Sequence, residues 1–171
     1  GKRIDGRAVA PNLARVAAQG GALAPAYSHV GFTTASLKSL FAGSLVVPPG
    51  SPSLFRELDA SGYEIGVFSG QPEDFGGISA AVGMREVADR FVDAETLKDQ
   101  RAFSFAAQGS LLIDEDIVLD RFDAALGDAA ALEKPQFVYL NFQTPHFPYH
   151  HDAVPHRLAK PPLERAHTNE Q

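Results

Sequence analysis

The sequence predicts an α/β fold in which a mainly parallel sheet is flanked by helices. Two apolar segments, residues 63–69 and 136–142, have the length and composition of buried strands. Segments with apolar residues at three- and four-residue spacing lie before and between them, which is typical of helices that cover a sheet. Because strand and helix patterns alternate, and parallel strands need a crossover connection, a mainly parallel sheet is expected.

Three helices are predicted before the first strand. They cover residues 11–21, 34–42 and 53–60, and each ends at a glycine or within two residues of one, since glycine commonly follows the last helical turn. Each helix carries apolar residues on one face, as expected of a helix that packs against a core. Residues 22–31 show no clear period and are expected to be irregular or briefly extended.

A loop is predicted directly after the first strand, over residues 70–77, which are rich in glycine and polar residues. A helix that returns to a short strand is expected around residues 78–91. The longest helix is predicted over residues 114–132, because three acidic residues occupy its first turn, where the helix dipole favours negative charge. Residues 1–171 are expected to form a single domain, since that length is enough for one core.

Composition excludes several classes of function. The chain has 15 Lys and Arg against 21 Asp and Glu, and a net charge of −6 argues against nucleic-acid binding. No apolar run approaches the roughly 20 residues that a membrane-spanning helix requires. Because cysteine is absent, disulfides, thiolate metal ligands and a cysteine nucleophile are excluded. The only methionine is Met84, so the chain is expected to be processed or to be part of a longer protein.

Three segments are expected to meet beyond the carboxyl ends of the strands, where open α/β sheets bind ligands. They are residues 28–36, 70–77 and 143–152. The first has hydroxyl side chains at the start of a helix, where free backbone N–H groups and the helix dipole favour an anion. A hydroxyl at that place is positioned to attack an ester. The alternative is that Thr33 with Ser36 only forms the N-cap of the helix.

Histidines in the third segment are candidates for acid–base chemistry. His146 follows a strand end, lies between two prolines, and could donate a proton to a leaving group or bind an anionic oxygen. His150 and His151 with Asp152 invite a metal-site interpretation, but adjacent residues of an extended chain point to opposite sides. A solvated loop is the simpler interpretation of those three residues.

Two acidic residues, Glu73 and Asp74, lie in the second segment. They could orient a substrate or a metal ion at the strand end. The favoured alternative is that they cap the next turn, with the neighbouring glycines providing backbone freedom. They are therefore left outside the predicted catalytic set.

Together these segments resemble the sulfatase-like branch of the alkaline phosphatase superfamily, which includes sulfatases, lipoteichoic acid synthases and phosphoethanolamine transferases. Residues 10–20 are similar to the TPNLDRLAAEG helix of that branch, and residues 26–28 resemble the NAYS that follows it. Residues 53–63 resemble a later L…L…GY stretch, and residues 137–149 resemble the strand that leads to a substrate-contacting H-x-P histidine. The resemblance implies an alkaline phosphatase-like fold, present here in part.

The nucleophile motif of sulfatases, C/S-x-P-S-R-x-x-x-x-T-G, has a serine three residues and a glycine ten residues after the nucleophile. Thr33, Ser36 and Gly43 keep both spacings. The proline and arginine of the motif are replaced by Ala35 and Leu37. Sulfatases convert Cys or Ser to formylglycine, an aldehyde, whereas oxidised threonine would be a ketone. The resemblance therefore favours the transferases of the branch, which use an unmodified threonine.

This resemblance implies a metal-dependent phosphotransferase or esterase. Thr33 would attack the anionic ester and bind the metal ion, while His146 would contact the transferred group or protonate the leaving oxygen. Ser36 would support the nucleophile turn. Thr34 is the rival nucleophile, but it lacks the spacing to Ser36 and Gly43. A divalent ion is implied in the full-length protein, and Mn, Mg, Zn and Ca are equally compatible with it.

Two other interpretations remain open. The protein could be a genuine sulfuric ester hydrolase of the arylsulfatase type, or a non-catalytic binding domain that kept the fold. A flavodoxin-like module is disfavoured, since no Ser/Thr/Gly phosphate loop follows the first strand.

Parts of the family pattern are missing from these 171 residues. The acidic ligands upstream of the TPNL-like helix and the later Asp-His pair have no counterpart, so the remaining metal ligands are expected outside the chain. The chain is therefore expected to be an interior fragment of a catalytic domain that binds no metal and is inactive alone. The resemblance implies a membrane-anchored protein acting on the extracytoplasmic or periplasmic side. Its substrate would be a small-molecule or lipid-linked phosphate or sulfate ester.

Overall fold

We describe the protein from a computed structural model. The residues that it describes are 3–100, 113–127 and 132–143. The chain divides into two compact units, one of residues 1–29 with 145–171 and one of residues 30–144, and each is described by itself. The expectation of a single domain over residues 1–171 stays a prediction. Within the described ranges, no helix combines the length and the apolar character needed to cross a membrane.

The first unit begins with a small hairpin that the sequence pattern did not predict. Strands β1 (Arg3–Ile4) and β2 (Arg7–Ala8) pair in antiparallel fashion. Asp5 and Gly6 form the turn between them with positive φ angles of 49° and 78°. Strands of two residues are too short to show an alternating pattern, which explains why the hairpin was missed.

Helix α1 (Pro11–Gln19) confirms the first predicted helix. Proline occupies its first turn, where a missing N–H costs no helical hydrogen bond. None of its residues is buried, and Leu13 and Val16 of its apolar stripe are 73% and 58% exposed.

The second unit contains the predicted α/β layers. Its elements are α2 (Thr33–Ala42), α3 (Leu54–Ala60), β3 (Glu64–Ser69), α4 (Ile78–Val82), α5 (Met84–Val87), β4 (Arg90–Val92), α6 (Glu115–Leu126) and β5 (Gln136–Asn141). The three strands form one sheet in the order β4-β3-β5, and both pairings are parallel. The predicted α/β class with a parallel sheet flanked by helices is therefore confirmed.

Strand register makes the carboxyl ends of the two long strands level. In the centre of the sheet, Val67 of β3 lies opposite Phe91 of β4 and Tyr139 of β5. At the carboxyl end, Ser69 lies opposite Asn141. Side chains that follow either strand therefore leave the sheet at the same edge.

Helices cover both faces of the sheet, and each face has its own apolar cluster. On the face covered by α2 to α5, the buried side chains are Phe41, Phe55, Ile65, Val67, Ile78, Val82 and Met84. On the opposite face, covered by α6, they are Phe68, Ala94, Leu97, Ile113 and Val118. The partly buried residues of β5 alternate between the two clusters, as the period of a strand requires.

Two predicted helices differ from those observed, and glycine explains both differences. The helix expected within residues 78–91 is divided into α4 and α5 at Gly83, whose φ of 71° ends the first of them. The helix expected over residues 114–132 ends earlier, because Gly127 has a φ of 54° directly after Leu126. Residues 128–131 lie outside the described part.

Candidate active site at the carboxyl edge of the sheet

The first turn of α2 carries an exposed threonine and no side-chain cap. Phe32, with extended backbone angles of −148° and 151°, is the N-cap residue, and Thr33 is the first helical residue. The Phe32 side chain accepts no hydrogen bond from the first-turn amides. The interpretation of Thr33 and Ser36 as an N-cap is wrong, because the capping residue must have a non-helical backbone, which Phe32 has, whereas Thr33 and Ser36 lie inside the helix.

Thr34 has a different environment from Thr33. The Thr33 side chain is exposed, whereas Thr34 is half-buried against Gly76 in the loop after β3. A Cβ atom on Gly76 would collide with the Thr34 methyl group, so glycine permits this close approach. One turn further along α2, the Lys38 Nζ donates a hydrogen bond to the Gly76 carbonyl at 2.6 Å. The loop after β3 thus packs against the first two turns of α2.

Glu73 is the central side chain of a buried polar cluster, which consists of Ser69, Gln71, Glu73, Asn141 and Gln143. Its carboxyl group has no exposed surface. The Oε1 atom accepts hydrogen bonds from Ser69 Oγ at 2.6 Å, Asn141 Nδ2 at 2.8 Å and Gln71 Nε2 at 3.2 Å. The Oε2 atom has no hydrogen-bond partner within the described part of the chain.

The backbone of Glu73 extends this connection to the third strand. Its amide donates to the Oδ2 atom of Asp93 at 3.1 Å, and Asp93 directly follows β4 and is fully buried. Arg85 pairs with the same Oδ2 atom at 3.3 Å and with Asp74 at 2.8 Å. Glu73 therefore contacts residues at the carboxyl ends of β3, β4 and β5.

The capping role predicted for Glu73 and Asp74 is wrong. Asp74 precedes a short 3₁₀ turn, but its side chain makes no capping hydrogen bond to that turn and pairs with Arg85 instead. The Glu73 side chain points into the buried polar cluster. Its carboxyl group accepts hydrogen bonds from the side chains of Ser69, Gln71 and Asn141 there, and not from a backbone amide of the next turn.

Burial raises the pKa of Glu73 above its ordinary value of 4.5. The hydrogen bonds from Ser69, Asn141 and Gln71 oppose that shift, and the negative charge of Asp93 adds to it. The pKa of Tyr139 is also raised, first by burial and second by the charge of Glu73. Burial therefore makes the Glu73 carboxyl harder to ionise in the folded protein than in the unfolded chain.

This shift predicts how stability changes with pH. The unfolded chain loses the Glu73 proton near pH 4.5, whereas the folded protein keeps it to higher pH. The stability contribution is therefore fully present below pH 4.5 and is lost as the pH rises through the folded-state pKa. Glu73→Gln cannot ionise, so its free energy of unfolding relative to wild type should rise by up to about 1.4 kcal/mol per pH unit in that window.

Urea unfolding of the intact protein at a series of pH values measures this difference. Val118→Ala, a truncation in the opposite apolar cluster, is the control, since it should lower stability equally at every pH. If the free energies of unfolding of Glu73→Gln and wild type differ by the same amount at every pH, the prediction is contradicted.

Residues after β5 lie against the loop after β3. The Gly70 amide donates to the Asn141 carbonyl at 2.8 Å, and Gln143 Nε2 donates to Gln71 Oε1 at 3.0 Å. The predicted meeting of these two segments is thus observed up to Gln143. His146 and the candidates His150, His151 and Asp152 lie outside the described residues.

The first segment reaches this edge only in part. Residues 30–36 belong to the same unit as the sheet, and α2 contacts residues 75–77. Residues 28 and 29 belong to the other unit. Across residues 3–100, 113–127 and 132–143, no group of three or more His, Asp or Glu side chains is arranged to hold a metal ion. The described side chains therefore do not by themselves fit a metal site.

Sequence reasoning missed the buried polar cluster. The signal was present, because polar residues occur at the level ends of both long strands, in the runs Ser69 to Glu73 and Asn141 to Gln143. Each polar residue alone fits a surface loop. Only the parallel register, which sets Ser69 beside Asn141, shows that the residues face one another.

The fold and this edge define an α/β protein with a parallel sheet, a class in which ligands commonly bind beyond the carboxyl ends of the strands. The family model described as Sulfatase matches residues 3–166, and the chain belongs to the sulfatase family. Searches of curated proteins and of solved structures gave no match. Membership confirms the predicted resemblance and the alkaline phosphatase-like α/β fold, and it places the chain among sulfatase-like hydrolases in the broad sense.

Proposed function

We propose that the protein cleaves or transfers phosphate or sulfate esters by nucleophilic attack from Thr33. The observation that carries the proposal is the exposed Thr33 side chain at the first residue of α2, whose N-cap residue, Phe32, makes no side-chain hydrogen bond to the first turn. The first-turn amides there have no helical acceptor, and the positive end of the helix dipole favours an anion. A non-bridging oxygen of the phosphate or sulfate group could accept hydrogen bonds from those backbone amides while the Thr33 hydroxyl attacks.

The favoured chemistry is phosphoryl transfer. The Thr33 hydroxyl would lose its proton to solvent water, and its Oγ1 atom would form a bond to phosphorus as the bond to the leaving oxygen breaks. A protonated His146 would give that leaving oxygen a proton. Water or an acceptor hydroxyl, losing its proton to the now neutral His146, would then attack phosphorus and release the group from the Thr33 oxygen. Ser36, half-buried one turn further along α2, would support the turn that holds Thr33.

Thr33 is preferred to Thr34 as the nucleophile because of their surroundings. The Thr34 side chain packs against Gly76, whereas the Thr33 side chain is exposed to an approaching ester. The motif spacing to Ser36 and Gly43 also selects Thr33.

A divalent metal ion is part of the proposal as a family property. It would lower the pKa of the attacking hydroxyl and neutralise charge on the transferred group when bound. Thr33 would be one ligand, and the other ligands would have to come from beyond the described residues, because those residues contain no suitable cluster. A membrane-anchored, extracytoplasmic protein with a small-molecule or lipid-linked substrate completes the proposal.

Sulfate ester cleavage is the second candidate, and membership of the sulfatase family favours it. The threonine at the nucleophile position argues against it, because threonine cannot give the aldehyde that sulfatases form from cysteine or serine. The absence of cysteine leaves serine as the only residue type from which that aldehyde could be made.

The test compares two chromogenic probes on the intact protein, bis(4-nitrophenyl) phosphate and 4-nitrophenyl sulfate. We expect turnover of the phosphodiester, and mass spectrometry of acid-quenched protein should find a 4-nitrophenyl phosphoryl adduct, which keeps one of the two aryl groups, on the peptide that contains Thr33. Turnover of the sulfate probe alone, without an adduct on Thr33, would replace the proposal by the sulfatase alternative. No turnover of either probe would favour a binding domain.

A further inference from the structure

We propose that Glu73 is a positioning residue for the reaction, which joins the carboxyl ends of all three strands and thereby fixes the loop that supports the first turn of α2. This inference rests on the proposed function of Thr33. Its basis is the set of hydrogen bonds that Glu73 makes at the carboxyl edge of the sheet.

Glu73 connects the strands through different groups. Its side chain accepts hydrogen bonds from Ser69 at the end of β3 and from Asn141 at the end of β5, at 2.6 and 2.8 Å. Its amide donates to Asp93 after β4 at 3.1 Å, and its carbonyl accepts from the Ser79 amide of α4 at 3.0 Å. Removal of this side chain would leave two strand ends and one loop without their common partner.

The loop transmits this position to α2. Gly76 lies three residues after Glu73, within the 3₁₀ turn of residues 75–77. The Thr34 methyl packs on Gly76, and Lys38 donates a hydrogen bond to the Gly76 carbonyl. A displacement of the loop at Glu73 would therefore move the surface on which the residue next to Thr33 rests.

The Glu73 side chain also holds the residues at the carboxyl end of β5. Asn141 is the last residue of that strand, and Gln143 donates a hydrogen bond to Gln71, which itself donates to Glu73. Through these hydrogen bonds, Glu73 holds the position of residues 141–143, which follow the sheet at the end of β5. Loss of these hydrogen bonds would loosen both segments together, since they share one acceptor atom, Oε1.

The other carboxyl oxygen of Glu73, Oε2, also supports a positioning role. Glu73 Oε2 is buried and has no hydrogen-bond partner within the described ranges, and an unsatisfied buried polar atom costs free energy. An apolar side chain would fill the same space without that cost but would offer no acceptor to Ser69, Gln71 and Asn141. The hydrogen bonds to Oε1, which an apolar side chain could not accept, therefore set the geometry of this edge.

The experiment uses the intact protein and three variants: Glu73→Ala, Glu73→Gln and Val118→Ala. Glu73→Gln keeps an acceptor oxygen for the three donors, and Val118→Ala destabilises the core on the opposite face without touching the polar cluster. With bis(4-nitrophenyl) phosphate as probe, Glu73→Ala should lower kcat by about 10²-fold, because small misplacements of reacting groups cost that much. KM should change far less, and Glu73→Gln should restore most of kcat.

Hydrogen exchange provides a second readout that needs no turnover. In Glu73→Ala, amides of residues 70–77 and of the first turn of α2 should exchange faster, while those of α6 should not. Glu73→Gln should exchange like wild type. Val118→Ala should speed exchange in α6 and leave kcat unchanged.

Distinct results separate failure of this inference from failure of the proposed function. Wild-type turnover that survives loss of the Thr33 hydroxyl would remove the proposed function, and the exchange data alone would then decide whether Glu73 holds the loop. Turnover that depends on Thr33 but is unchanged in folded Glu73→Ala overturns the positioning role. An equal loss of kcat in Glu73→Ala and Val118→Ala also overturns it, since the effect would then be one of general stability.

Discussion

Replacement of Thr33 by alanine is expected to reduce turnover of the phosphodiester probe by at least about 10³-fold, the scale seen when a catalytic nucleophile is removed. The free energy of unfolding should change little. Thr33 is exposed and its side chain does not cap the helix, so alanine loses no buried contact. Steady-state kinetics and urea unfolding of the same preparation measure the two quantities.

Two further variants make this result specific to the hydroxyl of Thr33. Thr33→Ser keeps a hydroxyl and should retain measurable turnover. Thr34→Val removes the hydroxyl of the rival nucleophile but keeps a methyl group to pack against Gly76, and it should remain active. Full activity in Thr33→Ala, or its loss only in Thr34→Val, would show that Thr33 is not the nucleophile.

The largest expected effect on stability is that of Phe55→Ala, with a loss of about 3–5 kcal/mol. Phe55 is fully buried, and its ring lies 4.8 Å from the Phe41 ring, 5.5 Å from Phe137 and 6.2 Å from Tyr139, measured between centroids. The edge-to-face packing of these rings adds to the burial of apolar surface. Alanine would leave a cavity between α2, α3 and the sheet, and urea unfolding measures its cost.

The neighbouring residue on α3 supplies the control. Leu54 is also a large apolar side chain, but it is 43% exposed, so Leu54→Ala should cost well under half as much as Phe55→Ala. Equal losses in the two variants would contradict the assignment of Phe55 to the centre of the core.

The fold was predictable where one local signal dominated. Strands β3 and β5 are apolar runs bounded by polar residues and glycine, and α2 is an apolar-periodic segment that ends at Gly43. Such signals depend on the hydrophobic effect and on backbone preferences, which act within a few residues. The hairpin of residues 3–8 and the division at Gly83 depend on single backbone angles, which a periodic pattern does not show.

The site was predictable only in outline. Motif spacing selected Thr33, which stays a prediction. The alternative that Thr33 and Ser36 form the N-cap was wrong, because the backbone of Phe32 and not the chemistry of threonine decides where α2 begins. Glu73 was misjudged for a different reason. Its partners Ser69, Asn141 and Asp93 come from three strand ends, and their distances follow from the sheet register and not from the sequence near Glu73.

The shared acceptor atom of Glu73 has a consequence for how this edge can change during evolution. Ser69, Gln71 and Asn141 all donate to Oε1, so the effect of replacing any one of them depends on whether the other two are present. Their contributions are therefore not additive. Loss of one donor leaves Oε1 with two others, whereas loss of the last would leave a buried acceptor without a partner, so a second replacement should cost more free energy than the first.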